Sequence, residues 1–374
     1  MITRSVIIMK TKNIFEIFEQ LEDPRIEKKT KHRLVDIISI AVCAVLVGSE
    51  TFEDIELYGN AKKEWLEHYL ELKNGIPSHD TFRRIFSLIC PKLFQSLFSE
   101  WIKLMFGEAV SEHVAIDGKS LKGSQRRKGN KKALHIVNAF CSKTNLFLAQ
   151  EAVKEKSGEK SVLPNLINQL QLTGTLVSID AGGCFPDIAQ AIVDKEGHYL
   201  LGLKGNQKTS FEYVKDYFET NIFPIQSKRY PDYDAFDEGH GRSVRRRVFV
   251  CDINIKDHPV LSKWPNISRL IAIETISTRE NKQTTAEFRY YISNSNKSPE
   301  FLAHSIRNHW AIENGLHWVL DVTFDEDRSR IRDAVAAQNM SALRKFTLNV
   351  LRKDSKKISL KAKRKLAGWS ESYL

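Results

Sequence analysis

The chain has 374 residues, of which 42% are hydrophobic and 28% charged, the balance of an ordinary globular protein. Its net charge of +11 favours an anionic partner, most commonly nucleic acid. Five widely spaced cysteines without a Cys-x-x-Cys pair argue against a disulfide framework or a zinc knuckle and are typical of the reducing cytoplasm. The longest uncharged apolar run, 37–48, is shorter than the roughly 20 residues that cross a bilayer, so it predicts a buried helix and no membrane segment.

The N-terminal third of the chain has a helical pattern. Apolar residues recur every three or four positions over 14–106, which predicts a small all-α domain within 1–110 that binds DNA ends. One helix is expected to begin after Ser78 as its N-cap. Arg83 and Arg84 fall on the polar face of that helix, and the pattern leaves open whether they are solvated or contact DNA.

The pattern changes to alternating strands at His113. Three β runs, HVAID, HIVNAFCSK and LFLAQEAV, are followed by a helix, the strand TLVSIDA, a helix and the strand HYLLGLK. This order predicts an α/β domain over 111–352, with a mixed sheet and helices on its faces. Further alternating runs predict a β-rich insertion at about 206–296, and residues 353–374 are expected to form a basic C-terminal tail.

Two aspartates stand where apolar β runs end. Asp117 is followed by a glycine, and Asp180 is followed by Ala-Gly-Gly. Open α/β sheets usually build their sites at the carboxyl ends of strands, and small residues there let a bulky anionic substrate approach the backbone. Either aspartate alone is also compatible with an ordinary turn at a strand end.

The stretch HWAIENGLHWVLDVTFDED carries a third candidate carboxylate on a predicted helix. His309, Glu313 and His317 are spaced i, i+4, i+8 and share a face. The histidines are about 12 Å apart along the axis, which excludes a zinc site made from this helix alone. We therefore expect only one of the three to point at a given ion, with Glu313 as the hard oxygen ligand. The acids 325–327 are expected to be a solvated helix end.

The three carboxylates together suit metal-dependent phosphodiester chemistry. Asp117, Asp180 and Glu313 can hold two magnesium ions roughly 4 Å apart, which activate an attacking oxygen and stabilise a leaving one. Mn²⁺ is expected to substitute for Mg²⁺. The hypothesis at this point is a catalytic, metal-binding triad that acts on double-stranded DNA.

Basic segments beside the carboxylates supply candidate DNA contacts. The loop 118–132 holds seven lysines and arginines and no acid, which favours a polyanion as its partner. Trp310 and Trp318 are interpreted either as core residues or as platforms for base stacking. The full set of predicted DNA-binding residues is Arg83, Arg84, Lys119, Lys122, Arg126, Arg127, Lys128, Lys204, Asn206, Gln207, His240, Arg242, His309, Trp310, Asn314 and His317.

Several motifs in order carry a resemblance to a known family. GIPSHDTFRRIF, AIDGKSLKGS, EKSGEKS, SIDAGGC, LLGLKGNQ, GHGR, RYYISN and the histidine-tryptophan stretch resemble bacterial insertion-sequence transposases of the ISAs type, also called H-repeat-associated proteins. The resemblance covers roughly 20–352. It implies an RNase H-like catalytic domain with a β insertion and a DDE triad of Asp117, Asp180 and Glu313.

The resemblance also implies a reaction and its partners. Such an enzyme would bind the terminal inverted repeats of its element, act as a homodimer on the DNA ends, cut the strand with Mg²⁺ and join it to target DNA. A location at the bacterial nucleoid in the cytoplasm follows from that role. Two alternatives are an RNase H-fold nuclease that never joins strands and a domesticated, inactive DNA-binding derivative.

Overall fold

The computed structural model describes most of the chain and identifies a mixed α/β protein. Two of the predicted DNA-binding segments, Arg126 to Lys128 and His240, lie outside the described residues. The described residues are 14–26, 30–106, 112–125, 132–154, 158–225, 230–239, 241–279 and 284–374.

The regular elements among the described N-terminal residues are all helices. The apolar run predicted to be a buried helix forms the interior of α2, where twelve of fourteen residues are buried. In α5 the phenylalanines and isoleucine face inward, while Arg83 and Arg84 are exposed. The helices are α1 (Ile14–Phe18), α2 (Leu34–Val47), α3 (Phe52–Ala61), α4 (Lys63–Leu66), α5 (His79–Leu88) and α6 (Pro91–Phe106).

A mixed sheet, with nine strands among the described residues, follows and confirms the predicted α/β class. The first three strands form an antiparallel meander, and β4 and β5 then run parallel to β1. The order across the sheet is β3-β2-β1-β4-β5-β9-β8-β7-β6. The strands are β1 (His113–Leu121), β2 (Leu134–Cys141), β3 (Leu146–Ala152), β4 (Leu176–Ile179), β5 (His198–Leu203), β6 (Tyr233–Gly239), β7 (Arg242–Asp252), β8 (Arg269–Arg279) and β9 (Thr285–Ser293).

The predicted insertion at 206–296 continues the same sheet. Strand β9 pairs antiparallel with β5, so the four later strands extend the edge that β5 would otherwise leave open. The segment also contains a helix of 14 residues, which the strand pattern did not predict. The remaining helices are α7 (Leu163–Asn168), α8 (Pro186–Val193), α9 (Lys208–Asn221), α10 (Pro299–His309), α11 (Trp318–Phe324), α12 (Ala334–Lys353) and α13 (Leu360–Trp369).

The two faces of the sheet are covered by different helices. On one face α7, α8 and α9 pack over apolar residues of the strands, including Ile116 and Ile179. On the other face the N-terminal helices, α11 and α12 share a core with Ala115 and Phe140. Because side chains alternate along a strand, Asp117 lies on the same face as Ala115, beneath the helical segment that carries Glu313.

Strand β1 is longer than its apolar run. It continues through Gly118 to Leu121, since it stays paired with β2 as far as Leu134. The basic loop 118–132 therefore begins as a strand. A β-carbon at position 118 would require the side-chain ends of Glu159 and His135 to shift.

The basic C-terminal segment is also folded against the protein. Helix α13 packs on α2, and Arg364 is buried and donates a hydrogen bond of 2.9 Å to the Val45 carbonyl. Lys363 is buried as well, and so are Arg344 and Lys345 within α12. Within the predicted basic tail 353–374, the side chains of Lys363 and Arg364 therefore donate to main-chain carbonyls inside the protein.

No single helix among the described residues is long and apolar enough to cross a membrane. Only α2 and α3 together meet the length and composition, and they are bent by 95°.

Candidate active site

The sheet brings the two aspartates together. The parallel pairing of β1 with β4 ends at Ile116 opposite Ile179, so Asp117 and Asp180 are the next residues on two neighbouring strands. Asp180 leaves the sheet at this point and caps a short 3-10 turn, where it accepts a hydrogen bond of 2.8 Å from the Gly182 amide.

Glu313 is placed by an irregular helical segment above the same face. Helix α10 ends at His309, and a π-helical turn, Glu313–His317, leads into α11. Ile312 and Leu316 are buried in the core, which leaves Glu313 exposed toward the sheet edge. Gly315 allows the π-helical turn to lie close to the Phe140 ring of the sheet, because a β-carbon at position 315 would be 2.9 Å from that ring. Single π turns are frequent at functional sites.

Three side chains meet where these elements converge. One ligand atom from each of Asp117, Glu313 and His317 lies within 4.8 Å of the others. His317 Nδ1 is 3.3 Å from Glu313 Oε2 and 3.8 Å from Asp117 Oδ2. Glu313 and His317 of the helical face therefore both lie close to Asp117. The separation of about 12 Å applies to the two histidines, whereas residues four apart are neighbours on a helix surface.

The electrostatics of the cluster fit a divalent cation. The pKa of Asp117 is raised to about 7, first by burial and then by the charges of Glu313, Asp180 and Glu159. A backbone hydrogen bond at Gly118 acts in the opposite direction. Crowded carboxylates repel one another, and a bound cation relieves that repulsion. The hard oxygen donors of Asp117, Asp180 and Glu313 match the preference of Mg²⁺.

His317 was predicted to contact DNA, and the structure corrects this. Its side chain is buried between the sheet and the π turn, with Nε2 3.4 Å from the Asn138 amide nitrogen. Burial lowers the pKa of His317 to about 3. The residue therefore acts inside the carboxylate cluster and not on the surface.

His309 is held by a chain of polar contacts. Its Nδ1 is 2.9 Å from the Ser178 hydroxyl, which is 2.8 Å from His113 Nε2. Desolvation lowers the pKa of both histidines, that of His113 to about 3. The half-buried His309 ring lines a cavity described below, so its predicted DNA contact remains a prediction.

Lys119 is also wrong as a DNA contact. Its side chain is 8% exposed and forms an ion pair with Asp321. Its Nζ is also 3.5 Å from Glu326 and donates a hydrogen bond of 3.3 Å to the His317 carbonyl. Because β1 continues past Asp117, Lys119 points into the protein toward the helical segment.

The acids after α11 are not a solvated helix end. The helix stops at Asp325, which has a left-handed conformation with φ of 50°. The chain then turns inward, so that Glu326 is 1% exposed and accepts a hydrogen bond of 2.8 Å from Ser341. The acidic run serves to pair buried cations, which local sequence could not indicate.

A cavity of about 330 Å³ opens beside Asp180. Lys204, Arg289, His309 and Trp310 contribute to its walls. Trp310 is 54% exposed, with the Arg289 guanidinium 5.9 Å from its ring centre. The interpretation of the two tryptophans as core residues is wrong, since Trp318 is also 59% exposed.

The other predicted DNA-binding side chains differ in their exposure and in whether they are paired within the protein. Gln207 is buried and accepts a hydrogen bond of 2.9 Å from Lys263, so its assignment to DNA is wrong. Arg83 forms ion pairs of 2.7 Å with both Asp80 and Glu53. The remaining contacts are exposed: Lys122, paired with Asp327 at 2.6 Å; Asn206, bonded to the Ala181 carbonyl; Arg242, bonded to Ser277; and Arg84, Lys204 and Asn314.

Two family models match most of the chain. The model described as DDE_Tnp_1-associated matches 15–102, and the model described as Transposase DDE domain matches 108–350. The chain belongs to the DDE transposase family. The resemblance drawn from its motifs is thereby confirmed.

Relatives of this DDE transposase match along nearly its whole length. The protein named "Putative transposase YncI" of Escherichia coli O157:H7 is 36% identical over 98% of this chain and 94% of its own. The "H repeat-associated putative transposase YhhI" of Escherichia coli K12 is 34% identical over 98% of this chain and 97% of its own. A solved piggyBac transposase synaptic complex with hairpin DNA aligns with 96% of this chain and 80% of its own at 11% identity, with a TM-score of 0.44.

Sequence reasoning missed three residues around the cluster. Glu159 raises the pKa of Asp117, Asn138 contacts His317, and Lys345 contacts Asn138. Asn138 could have been found from the sequence, since it is a polar residue inside the apolar run HIVNAF. Lys345 had none, because its partners are about 200 positions away in the chain.

Proposed function

We propose that this protein is a DNA transposase that cuts the ends of its own element and joins them to target DNA with one metal-dependent site. The observation that carries the proposal is the cluster of Asp117 and Glu313, with Asp180 directly after the neighbouring strand, in a member of the DDE transposase family. The meander followed by parallel β4 and β5 supports an RNase H-like core.

Asp117, Asp180 and Glu313 would hold the metal, with Mg²⁺ as the native ion and Mn²⁺ as a substitute. A pair of such ions supplies activation of an attacking oxygen and stabilisation of a leaving oxygen at a phosphodiester. The raised pKa of Asp117 supports this role, because the free site lacks a compensating positive charge. The chain itself contributes the fixed spacing of the carboxylates.

DNA would reach the site along the open side of the cavity beside Asp180. Lys204 is placed to contact a phosphate there, and Trp310 offers an exposed aromatic face to an unpaired base. Arg84, Asn314 and Arg242 would add contacts to the inverted repeats. Arg84 is the better candidate of the two helix arginines, because Arg83 is occupied by Asp80 and Glu53. Two copies would hold the two ends as a homodimer.

The test compares cleavage of inverted-repeat DNA by matched glutamate variants. Glu313→Gln keeps the size of the side chain and removes its charge, so we expect cutting and joining in Mg²⁺ or Mn²⁺ to be abolished while end binding persists. Glu300→Gln changes an exposed glutamate on neighbouring α10 and should leave cleavage unchanged.

Three results would contradict the proposal in different ways. Cleavage in the presence of EDTA would exclude the metal mechanism. Cleavage without any joining would support a nuclease in place of a transposase. If Glu313→Gln still cuts DNA and Asp321→Asn does not, the third metal ligand is Asp321 and not Glu313.

A further inference from the structure

A line of buried polar side chains runs behind the candidate site. Lys345 Nζ donates hydrogen bonds of 2.6 Å to the side-chain oxygens of Asn138 and Gln150. Asn138 contacts His317, which in turn contacts Glu313. Lys345, Asn138 and Gln150 are at most 1% exposed, and His317 is 4% exposed. Each polar group in such a place needs a partner of the correct kind.

The line determines which way the Asn138 amide points. The Ile136 carbonyl can only accept, so the Asn138 atom that faces it must be the nitrogen, and the oxygen must face Lys345. The amide nitrogen then faces the Ile136 carbonyl at 3.2 Å and His317 Nε2 at 3.4 Å. The orientation of Asn138 is therefore fixed by hydrogen-bond chemistry and does not depend on how the amide was built.

The Asn138 orientation in turn selects one tautomer of His317. A protonated Nε2 would place a donor against the donor of the Asn138 amide, so Nε2 must accept. The ring proton then resides on Nδ1, which lies 3.3 Å from Glu313 Oε2 and 3.8 Å from Asp117 Oδ2. In the sheet, Asn138 is also the residue paired with Asp117 across β1 and β2.

We infer that Lys345 and Asn138 fix the Nδ1–H tautomer of His317, which donates to Glu313 and keeps it close to Asp117. His317 is thus a positioning residue for the two carboxylates and not a metal ligand, because its Nδ1 lone pair is used by the proton. The inference rests on the proposed assignment of Asp117 and Glu313 as metal-binding residues. Groups that orient metal ligands in this way typically change metal affinity or activity by about 10–100-fold when removed.

The tautomer can be observed directly in the full-length, metal-free protein. We expect ¹⁵N NMR of histidine-labelled protein to show His317 protonated at Nδ1, with the signal identified by its loss in His317→Gln. Asn138→Asp should favour the opposite tautomer, because a carboxylate oxygen facing Nε2 accepts a hydrogen bond from a protonated Nε2. An Nε2–H tautomer in the unaltered protein would overturn the inference.

A matched pair of substitutions tests the positioning role. In His317→Asn the amide nitrogen can occupy the place of Nδ1 and donate to Glu313, whereas the longer Gln side chain reaches the place of Nε2. We expect His317→Asn to bind Mn²⁺ close to the unaltered affinity, and His317→Gln to bind it about 10–100-fold more weakly. Thermal unfolding of both variants checks that each is folded.

The outcomes separate positioning from other roles of the histidine. Equal losses of Mn²⁺ affinity in two folded variants would reduce His317 to a packing residue. Nitrogen coupling from an imidazole in the electron spin resonance of bound Mn²⁺ would make it a ligand, which also contradicts the inference. Neither the NMR nor the Mn²⁺ measurement uses DNA, so an absence of DNA cleavage in the unaltered protein would count against the proposed function alone.

Discussion

Asp117 is a carboxylate whose surroundings favour its protonated form. Burial is the first cause, and the neighbouring acids Glu313, Asp180 and Glu159 add to it. A folded-state pKa of about 7, against an ordinary value of 3.8, means that the folded protein binds a proton that the unfolded chain has already released between these pH values. The sign of the resulting pH dependence follows from linkage.

We predict that metal-free protein loses stability as the pH rises from about 4 to about 7. In this range the folded state binds more protons at Asp117, so the free energy of unfolding should fall by up to about 1.4 kcal/mol per pH unit from this group. Urea unfolding in EDTA of the unaltered protein and Asp117→Asn measures the difference. The slope should flatten in Asp117→Asn and persist in Asp216→Asn, an exposed carboxylate on α9. An unchanged slope in Asp117→Asn would contradict the prediction.

Single residues show where local sequence informs and where it does not. Asp117 and Asp180 could be predicted from the sequence, because a carboxylate that follows an apolar strand is out of place for packing. The roles of His317, Lys119 and Gln207 were predicted wrongly, because each depends on the direction of the side chain and on a distant partner. Spacing along the chain does not contain that information.

At the scale of elements, a buried lysine on β1 helps to fix the helical segment from Glu313 to Asp325 to the sheet. Lys119 is paired with Asp321 and donates to the His317 carbonyl within the π turn. It is also the nearest cation to the buried Glu326, whose Oε2 lies 3.5 Å away. The position of Glu313 over Asp117 therefore depends on a buried charge at the end of β1.

We predict that Lys119→Met destabilises the protein by about 3–5 kcal/mol, since removing one partner of a buried ion pair leaves the other charge uncompensated. Urea unfolding provides the measurement. Lys122→Met is the matched control three residues on, because the Lys122 side chain is 78% exposed and its pair with Asp327 lies at the surface. Equal losses of stability in the two variants would refute a special role for the buried lysine.

The elements themselves were predictable to different degrees. Short apolar runs indicated β1 to β5, and alternation indicated the later strands β7, β8 and β9. The pairing of β5 with β9 joins residues about 90 positions apart, and nothing local specifies it. The extension of β1 to Leu121 was missed for the same reason, since only its partner β2 keeps those polar residues in the sheet.

At the scale of the whole molecule, the net charge of +11 does not lie entirely on the surface. Lys119, Arg344, Lys345, Lys363 and Arg364 are buried. A DNA-binding surface must therefore be assigned from exposed cations near the site and not from counts of basic residues. The cavity beside Asp180 meets that condition, because it combines Lys204 and Arg289 with the exposed ring of Trp310.

This combination separates two kinds of DNA contact by their salt dependence. We predict that Lys204→Ala reduces the slope of log affinity against log salt by about 0.7–0.9, the contribution of one phosphate contact. Trp310→Ala should weaken binding by about 1–3 kcal/mol at every salt concentration with an unchanged slope, because base stacking releases no counterions. The DNA is an inverted-repeat duplex with a short single-stranded end, and fluorescence anisotropy gives the affinities.

Trp318 provides the control that separates base stacking in the cavity from a general effect of removing an exposed tryptophan. It is exposed to a similar extent as Trp310, and only Trp310 belongs to the walls of the cavity beside Asp180. Trp318→Ala should therefore leave both the affinity and the salt slope unchanged. If the two tryptophan variants lose equal affinity, the cavity is not where the DNA strand enters. If Trp310→Ala binds normally while Lys204→Ala loses its phosphate contribution, the strand passes the site through its backbone alone.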